Sequence, residues 1–219
     1  MPHESAPIRT AGAPLAEASG AVVLLHGRGA GAADILALGR EVAPEGAALL
    51  APEADGATWY PLSFLAPLRA NQPHLDGALT AVRRTVEHAE GAGIPRERIA
   101  LAGFSQGACL ALESAARMGG RWGAVVALSG GLIGTGEDPE GKPPADKLFE
   151  YSADLAGTPV LLGCSDVDPH IPLSRVRRSA LVFGDLGASV DERIYKGMGH
   201  LVNRDELEAT RALLAPLAG

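Results

Sequence analysis

Short uncharged runs alternate with longer amphipathic stretches along the chain. Residues 21–25 (A-V-V-L-L), 47–50, 98–102, 124–128 and 160–162 are short, mainly apolar runs, and each predicts a buried strand. Residues 189–195 alternate instead and predict a strand toward the edge of a sheet. Runs without alternation imply a sheet covered on both faces, hence a parallel one. Between the runs, Leu75, Leu79, Val82 and Val86 step by 4, 3 and 4, which puts one apolar stripe on a helix over 73–92. Gly91, Gly93 and Pro95 supply its stop. Leu173, Val176, Ala180 and Phe183 step by 3, 4 and 3 on a second helix. Residues 108–118 read as a third. Asn203 with Glu206 has the spacing of a capping box opening a last helix over 205–217. Strand-helix alternation of this kind predicts an α/β fold, with a mostly parallel central sheet and helices on both faces. Residues 51–72 and 130–155 stay irregular, and loops of that length usually carry function. No repeat or linker divides the chain, so 1–219 reads as one domain, with 1–20 as an N-terminal strand or extended arm.

Composition narrows the classes. A chain of 219 residues with 47% hydrophobic content buries a sizeable core and is not disordered. The 28 glycines follow no three-residue period, which excludes collagen. A net charge of -7 argues against nucleic acid or an anionic membrane as the main partner. The few aromatics leave little material for base stacking. The polar start lacks a basic segment followed by an apolar stretch, and no apolar run approaches the ~20 residues of a membrane span. The expectation is a cytoplasmic protein, monomer or homodimer, with Cys109 and Cys164 as reduced, buried thiols.

The chemistry concentrates in a few segments. Gly103-Phe104-Ser105-Gln106-Gly107 follows one predicted strand and precedes a helix, the setting a nucleophile elbow needs. A serine hydroxyl is a poor nucleophile until a base takes its proton, and the base needs a carboxylate to hold its tautomer. In this architecture the order is Ser, acid, His. His200, in Lys196-Gly197-Met198-Gly199-His200 just past the last predicted strand, is the base candidate. His170 comes too soon after the acid loop. Asp166 and Asp168 both qualify as the acid, and spacing alone does not choose between them. Gln106 and Arg28 supply backbone N–H groups for an oxyanion. The Arg28 side chain reads as solvated, with an anion-directing role as the alternative.

Two decoys compete. Gly27-x-Gly29-x-x-Ala32 has the form of a dinucleotide fingerprint, with Glu53 near the place of a ribose acid, and would make the chain an NAD-dependent oxidoreductase. A nicotinamide site does not need the elbow, which weighs against it. Gly136 to Lys142 imitates a phosphate loop, but Pro143 stands where a magnesium ligand belongs, and Glu137, Asp138 and Glu140 repel phosphate. No His or Cys spacing suggests a zinc site. A non-catalytic ligand-binding protein on the same fold is the remaining alternative.

Taken together, L-H-G-x-G at 25–29, G-F-S-Q-G at 103–107, the stretch from Asp166 to Pro172 and G-M-G-H at 197–200 resemble the carboxylesterase/phospholipase family of α/β-hydrolases, which includes acyl-protein thioesterases. H-G-R-G-A and T-W-Y-P-x-S-F are similar to a bacterial subgroup. The resemblance implies an α/β-hydrolase fold with no large cap domain and a triad of Ser105, Asp168 and His200. It also implies Trp59 and Tyr60 beside the acyl pocket, with Phe64 lining the same side. The implied activity is hydrolysis of short- to medium-chain esters, with thioesters or lysophospholipids as further substrates. It needs no metal and no organic cofactor, only a small-molecule ester as partner. Arg28 stands where the thioesterases carry an apolar residue.

Overall fold

A computed structural model describes residues 1–137 and 147–219. In chain order the strands and α-helices are β1 (Ile8–Gly12), β2 (Gly20–Leu25), α1 (Ala32–Val42), β3 (Ala47–Pro52), α2 (His74–Gly91), β4 (Ile99–Phe104) and α3 (Gln106–Met118). There follow β5 (Ala124–Leu128), β6 (Gly136–Glu137), β7 (Lys147–Leu148), β8 (Pro159–Ser165), α4 (Leu173–Asp185), β9 (Ser189–Tyr195) and α5 (Arg204–Leu214). Seven strands form one sheet in the order β1-β3-β2-β4-β5-β8-β9. β1 pairs antiparallel with β3, and every other neighbouring pair in this sheet is parallel. β6 and β7 pair only with each other.

The apolar runs are strands because both of their faces are covered. In β2, Ala21, Val23 and Leu25 enter one core, while Val22 and Leu24 enter the other. β4 repeats this, with Ile99 and Leu101 on one side and Ala100 and Ala102 on the other. Helices α2, α3 and α4 cover the first face, and α1 and α5 the second. Strand ends run past the apolar residues wherever pairing continues. Ala51 and Pro52 extend β3 because they pair with Arg9 and Ile8. Gly103 and Phe104 extend β4 against Ala127 and Leu128. Ser165 extends β8 against Tyr195.

β1 lies at one edge of the sheet, and β9 closes the other edge. Ahead of β1, His3 is buried and its Nε2 lies 2.9 Å from Trp59 O. The last helix begins at Arg204 and tightens after Leu214 into a 3-10 turn, Ala215–Leu217. The irregular stretch 51–72 holds two short 3-10 turns, Asp55–Ala57 and Leu68–Asn71. Much of the Gly136 to Lys142 decoy lies outside the described residues. Among the described residues, no helix is long and apolar enough to cross a membrane. Both cysteines are buried and unpaired with each other.

Candidate active site

β4 ends at Phe104 and α3 begins at Gln106, so the chain reverses on the single residue Ser105. Ser105 has φ 56° and ψ -120°, a conformation that costs a non-glycine residue about 1–3 kcal/mol. Neighbours hold it there. Its N–H donates to Leu128 O at 2.9 Å, and its carbonyl accepts the N–H of Cys109 at 3.1 Å. The flanking glycines let the strand and helix meet. A Cβ on Gly103 would lie 2.4 Å from the carbonyl carbon of Gly107, and one on Gly107 would lie 2.0 Å from Leu25 O. The hydroxyl is thereby presented at the carboxyl edge of a central strand.

The loop after β9 brings His200 to this hydroxyl. His200 Nε2 is 2.9 Å from Ser105 Oγ, and His200 Nδ1 is 2.7 Å from Asp168 Oδ2. Two contacts shape that loop. Asp166 Oδ1 accepts the N–H of Gly197 at 2.7 Å, and Ser165 Oγ accepts that of Gly199 at 3.0 Å. Both glycines have positive φ, 67° and 81°. The two acids left open by spacing are thus separated: Asp168 meets the imidazole, and Asp166 anchors the backbone that carries it.

Asp168 Oδ1 also accepts the N–H groups of His170 and Ile171, at 2.8 and 3.0 Å. Burial alone would raise its pKa, but the bonds from His200, His170 and Ile171 outweigh that and hold it below the usual carboxylate range. A depressed folded-state pKa stabilises the fold above the unfolded value of about 4, and that stabilisation is lost as pH falls through the folded value.

Gln106 opens α3, so its N–H has no acceptor within the helix. Arg28 N–H has no acceptor among the described residues. The side chains of the same two residues have a role that motif reading missed. Gln106 Oε1 accepts the N–H of Trp59 at 2.9 Å, and its Nε2 donates to Tyr60 O at 2.8 Å. The Arg28 guanidinium donates to Tyr60 O, Pro61 O and Leu62 O at 2.7–2.9 Å. Arg28 is exposed, as the solvated reading has it, and its fork of donors in addition clamps the 60–62 turn, whose carbonyls have no strand or helix to pair with.

Around Ser105 lies a cavity of about 620 Å³, lined among others by Tyr60, Phe64, Phe104, Cys109, Ile171 and His200. Tyr60 and Phe64 line it, but Trp59 does not. Trp59 is fully buried behind the wall, where its indole Nε1 donates to His26 O at 2.9 Å and its ring centroid is 4.9 Å from that of His26. Adjacent residues on an extended segment point to opposite sides, and the indole N–H found its acceptor on the inner one. His26 is a buried neutral imidazole. Nε2 accepts the N–H of Ala54 at 3.1 Å, so the proton sits on Nδ1, 2.8 Å from Gly27 O, and burial pushes its pKa down. Cys109 lies on the cavity wall with its thiol pushed up to about 12 by burial, which removes it as a competing nucleophile at neutral pH.

Two buried carboxyl groups stand outside the site, Glu113 with no local sequence signal and Glu206 in the capping box that the Asn203 spacing predicts. Glu113 on α3 accepts the N–H groups of Ile133 and Gly134 and the hydroxyl of Tyr151, and fixes the loop after β5. Glu206 caps α5: Asn203 Oδ1 accepts its N–H at 2.9 Å, and its Oε2 accepts that of Asn203 at 2.8 Å. Its Oε1 has no partner among the described residues, and burial raises its pKa to about 7. Because the folded value is raised, the charged form penalises the fold increasingly from about pH 4.5 to pH 7. Glu206→Gln is expected to stabilise the protein at pH 8 by about 1–3 kcal/mol relative to pH 5, read from urea unfolding at both pH values. An equal effect at both would remove the titration account.

The dinucleotide alternative loses its anion site. Asp34 Oδ2 accepts the N–H of Gly31 at 2.8 Å, placing a carboxylate where a pyrophosphate would sit. Glu53 is paired with Arg9 at 3.1 Å. Comparison with known proteins points the other way. A family profile described as Phospholipase/Carboxylesterase matches residues 10–217. The chain is 30% identical over 169 residues to acyl-protein thioesterase 1 of Saccharomyces cerevisiae, covering 76% of this chain and 69% of that one. It is 34% identical over 122 residues to acyl-protein thioesterase 1 of Gibberella zeae, a match spanning about half of that relative (49%). Among solved structures, a phospholipase/carboxylesterase from Dyadobacter fermentans superposes with a TM-score of 0.87 at 40% identity over 96% of both chains. Esterase PE8 superposes with a TM-score of 0.75 at 27% identity over 97% of this chain and 98% of that one. With the sheet order, the turn at Ser105 and the match over nearly its whole length, the chain belongs to the phospholipase/carboxylesterase family of α/β-hydrolases and is a carboxylesterase-type hydrolase.

Proposed function

We propose that the protein is a serine hydrolase that cleaves short- to medium-chain carboxylic esters, with thioesters or lysophospholipids of the same reach as further substrates, through an acyl-enzyme. The observation that carries this reading is the continuous hydrogen-bonded line Ser105–His200–Asp168, with links of 2.9 and 2.7 Å. In this reading Ser105 Oγ attacks the carbonyl carbon while His200 Nε2 takes its proton. Asp168 keeps the His200 proton on Nδ1 and stabilises the imidazolium that forms. The N–H groups of Gln106 and Arg28 receive the oxyanion. The imidazolium then protonates the leaving alcohol. Water, deprotonated by His200, hydrolyses the acyl-enzyme by the same steps in reverse. The chemistry requires no metal or organic cofactor, and residues 1–219 act as one domain.

The test is labelling with a fluorophosphonate followed by intact mass. One adduct per chain is expected, lost in Ser105→Ala. Equal labelling of that variant would assign the nucleophile elsewhere. A second comparison addresses the acids. Asp168→Asn is expected to lower kcat by about 10^3–10^4, because an amide donor at that place favours the wrong tautomer. Asp166→Asn keeps an acceptor for Gly197 N–H and is expected to cost less than about tenfold. Equal losses would mean that the two acids share the role.

A further inference from the structure

The chain carries a net charge of -7, yet among the described residues no Asp, Glu or Lys lines the Ser105 cavity, and Arg28 is the one fixed charge on its lining. The acceptors of the Arg28 guanidinium are neutral carbonyls. No carboxylate lies within ion-pair distance of it among the described residues. The clamp therefore satisfies part of its donor fork and leaves its charge uncompensated.

Opposite it stands His170. Strand order places the loop after β2, with Arg28, on one side of Ser105, and the loop after β8, with His170, on the other. His170 is fixed at its backbone by Asp168 and meets the His200 ring edge-on, with centroids 4.8 Å apart. Neither ring nitrogen of His170 has a hydrogen-bond partner among the described residues. The floor of the cavity is apolar and closed: Tyr60, Phe64, Cys109 and Ile171 are at most 4% exposed. Arg28 and His170 are exposed at its mouth. An ester seated on Ser105 then directs its acyl chain inward and its alcohol outward, between a cation and an imidazole donor.

We infer that the alcohol part of the substrate carries an anionic group, received at the mouth between Arg28 and His170. This rests on the reading of Ser105 as nucleophile. A cation at the rim of a partly enclosed, low-dielectric cavity concentrates and orients anions, and its effect fades with salt. His170 acts as a specificity residue, separate from its neighbour His200, which handles the proton.

The test compares 4-carboxyphenyl butyrate with its neutral analogue 4-carbamoylphenyl butyrate, each rate divided by that of alkaline hydrolysis. The kcat/KM ratio is expected to favour the anion by about three- to tenfold in roughly 0.02 M salt, and to fall toward one in roughly 0.5 M salt. The preference is expected mainly in KM. His170→Gln and His170→Ala are expected to shrink the ratio, whatever they do to the absolute rates. A ratio near one at low salt, a preference that salt does not weaken, or a full ratio retained in both His170 variants would overturn the inference. Ser105→Ala serves as the control. If it hydrolyses both esters as well as the parent, the nucleophile is wrong. If it is inactive while the parent shows no preference, only the anionic alcohol is.

Discussion

Ser105→Ala is expected to lower kcat for a p-nitrophenyl ester by about 10^5–10^6, leaving only what the oxyanion donors and substrate binding supply. The size follows from the arrangement. Among the described residues, His200 Nε2 has one hydrogen-bond partner, Ser105 Oγ at 2.9 Å. Without that hydroxyl it has no proton to take from a bound nucleophile. His200→Ala is expected to cost about as much, and the double variant little more than either alone, since both residues serve one step. Steady-state rates of the three variants on one batch of substrate decide it. Additive losses, with the double variant falling by the product of the two, would mean that Ser105 and His200 act separately. The fold should survive Ser105→Ala, because the change removes only a hydroxyl whose partner, His200, is part-exposed. Unchanged circular dichroism and urea midpoint check this.

Gly107→Ala is expected to produce the largest loss of stability, about 3–5 kcal/mol, and in practice little soluble protein. The added Cβ would meet Leu25 O at 2.0 Å and His26 O at 2.6 Å. Both are backbone atoms of β2 and the loop after it, so no side chain can rotate away. Relief requires moving α3 off the sheet, and Gly103 faces Gly107 from the other side of the same turn. Gly56→Ala is the contrast: its Cβ would meet nothing within 4 Å, so only its positive φ of 60° resists the change. A cost of about 1 kcal/mol is expected there. Denaturant midpoints for the two variants separate contact from conformation. A Gly107→Ala protein as stable as Gly56→Ala would show that the strand and helix are not held as closely as the distances state.

The parallel core was readable because its strands, buried on both faces, need uninterrupted apolar residues. The run 124–128 met its strand, β5, at both ends. The meeting of Ser105 with His200 and Asp168 was readable in outline because a strained elbow demands glycine at fixed offsets. What could not be read was who bonds to the irregular backbone. Trp59 and Tyr60 are neighbours with the same aromatic signal, yet one faces the cavity and the other lies behind it. The choice was made by distant acceptors, His26 O for the indole and Gln106 for the Trp59 N–H. Arg28 and Gln106 were noticed for their N–H groups, which any residue has. Their side chains bond to a turn 32 and 46 residues away in sequence, and no local pattern records such a pairing.

Gln106 has a consequence for anyone redesigning the pocket. One residue holds the wall of the cavity through its side chain and, in the proposed mechanism, offers the oxyanion a backbone N–H. The turn at 60–62 and the Arg28 loop are joined in the same way. Substrate range and rate are therefore not separate dials. A graft that reshapes 58–64 to admit a new acyl chain must carry compatible residues at 28 and 106. The unit to transplant is three short pieces far apart in the chain, and moving one piece alone detunes the chemistry it was meant to serve.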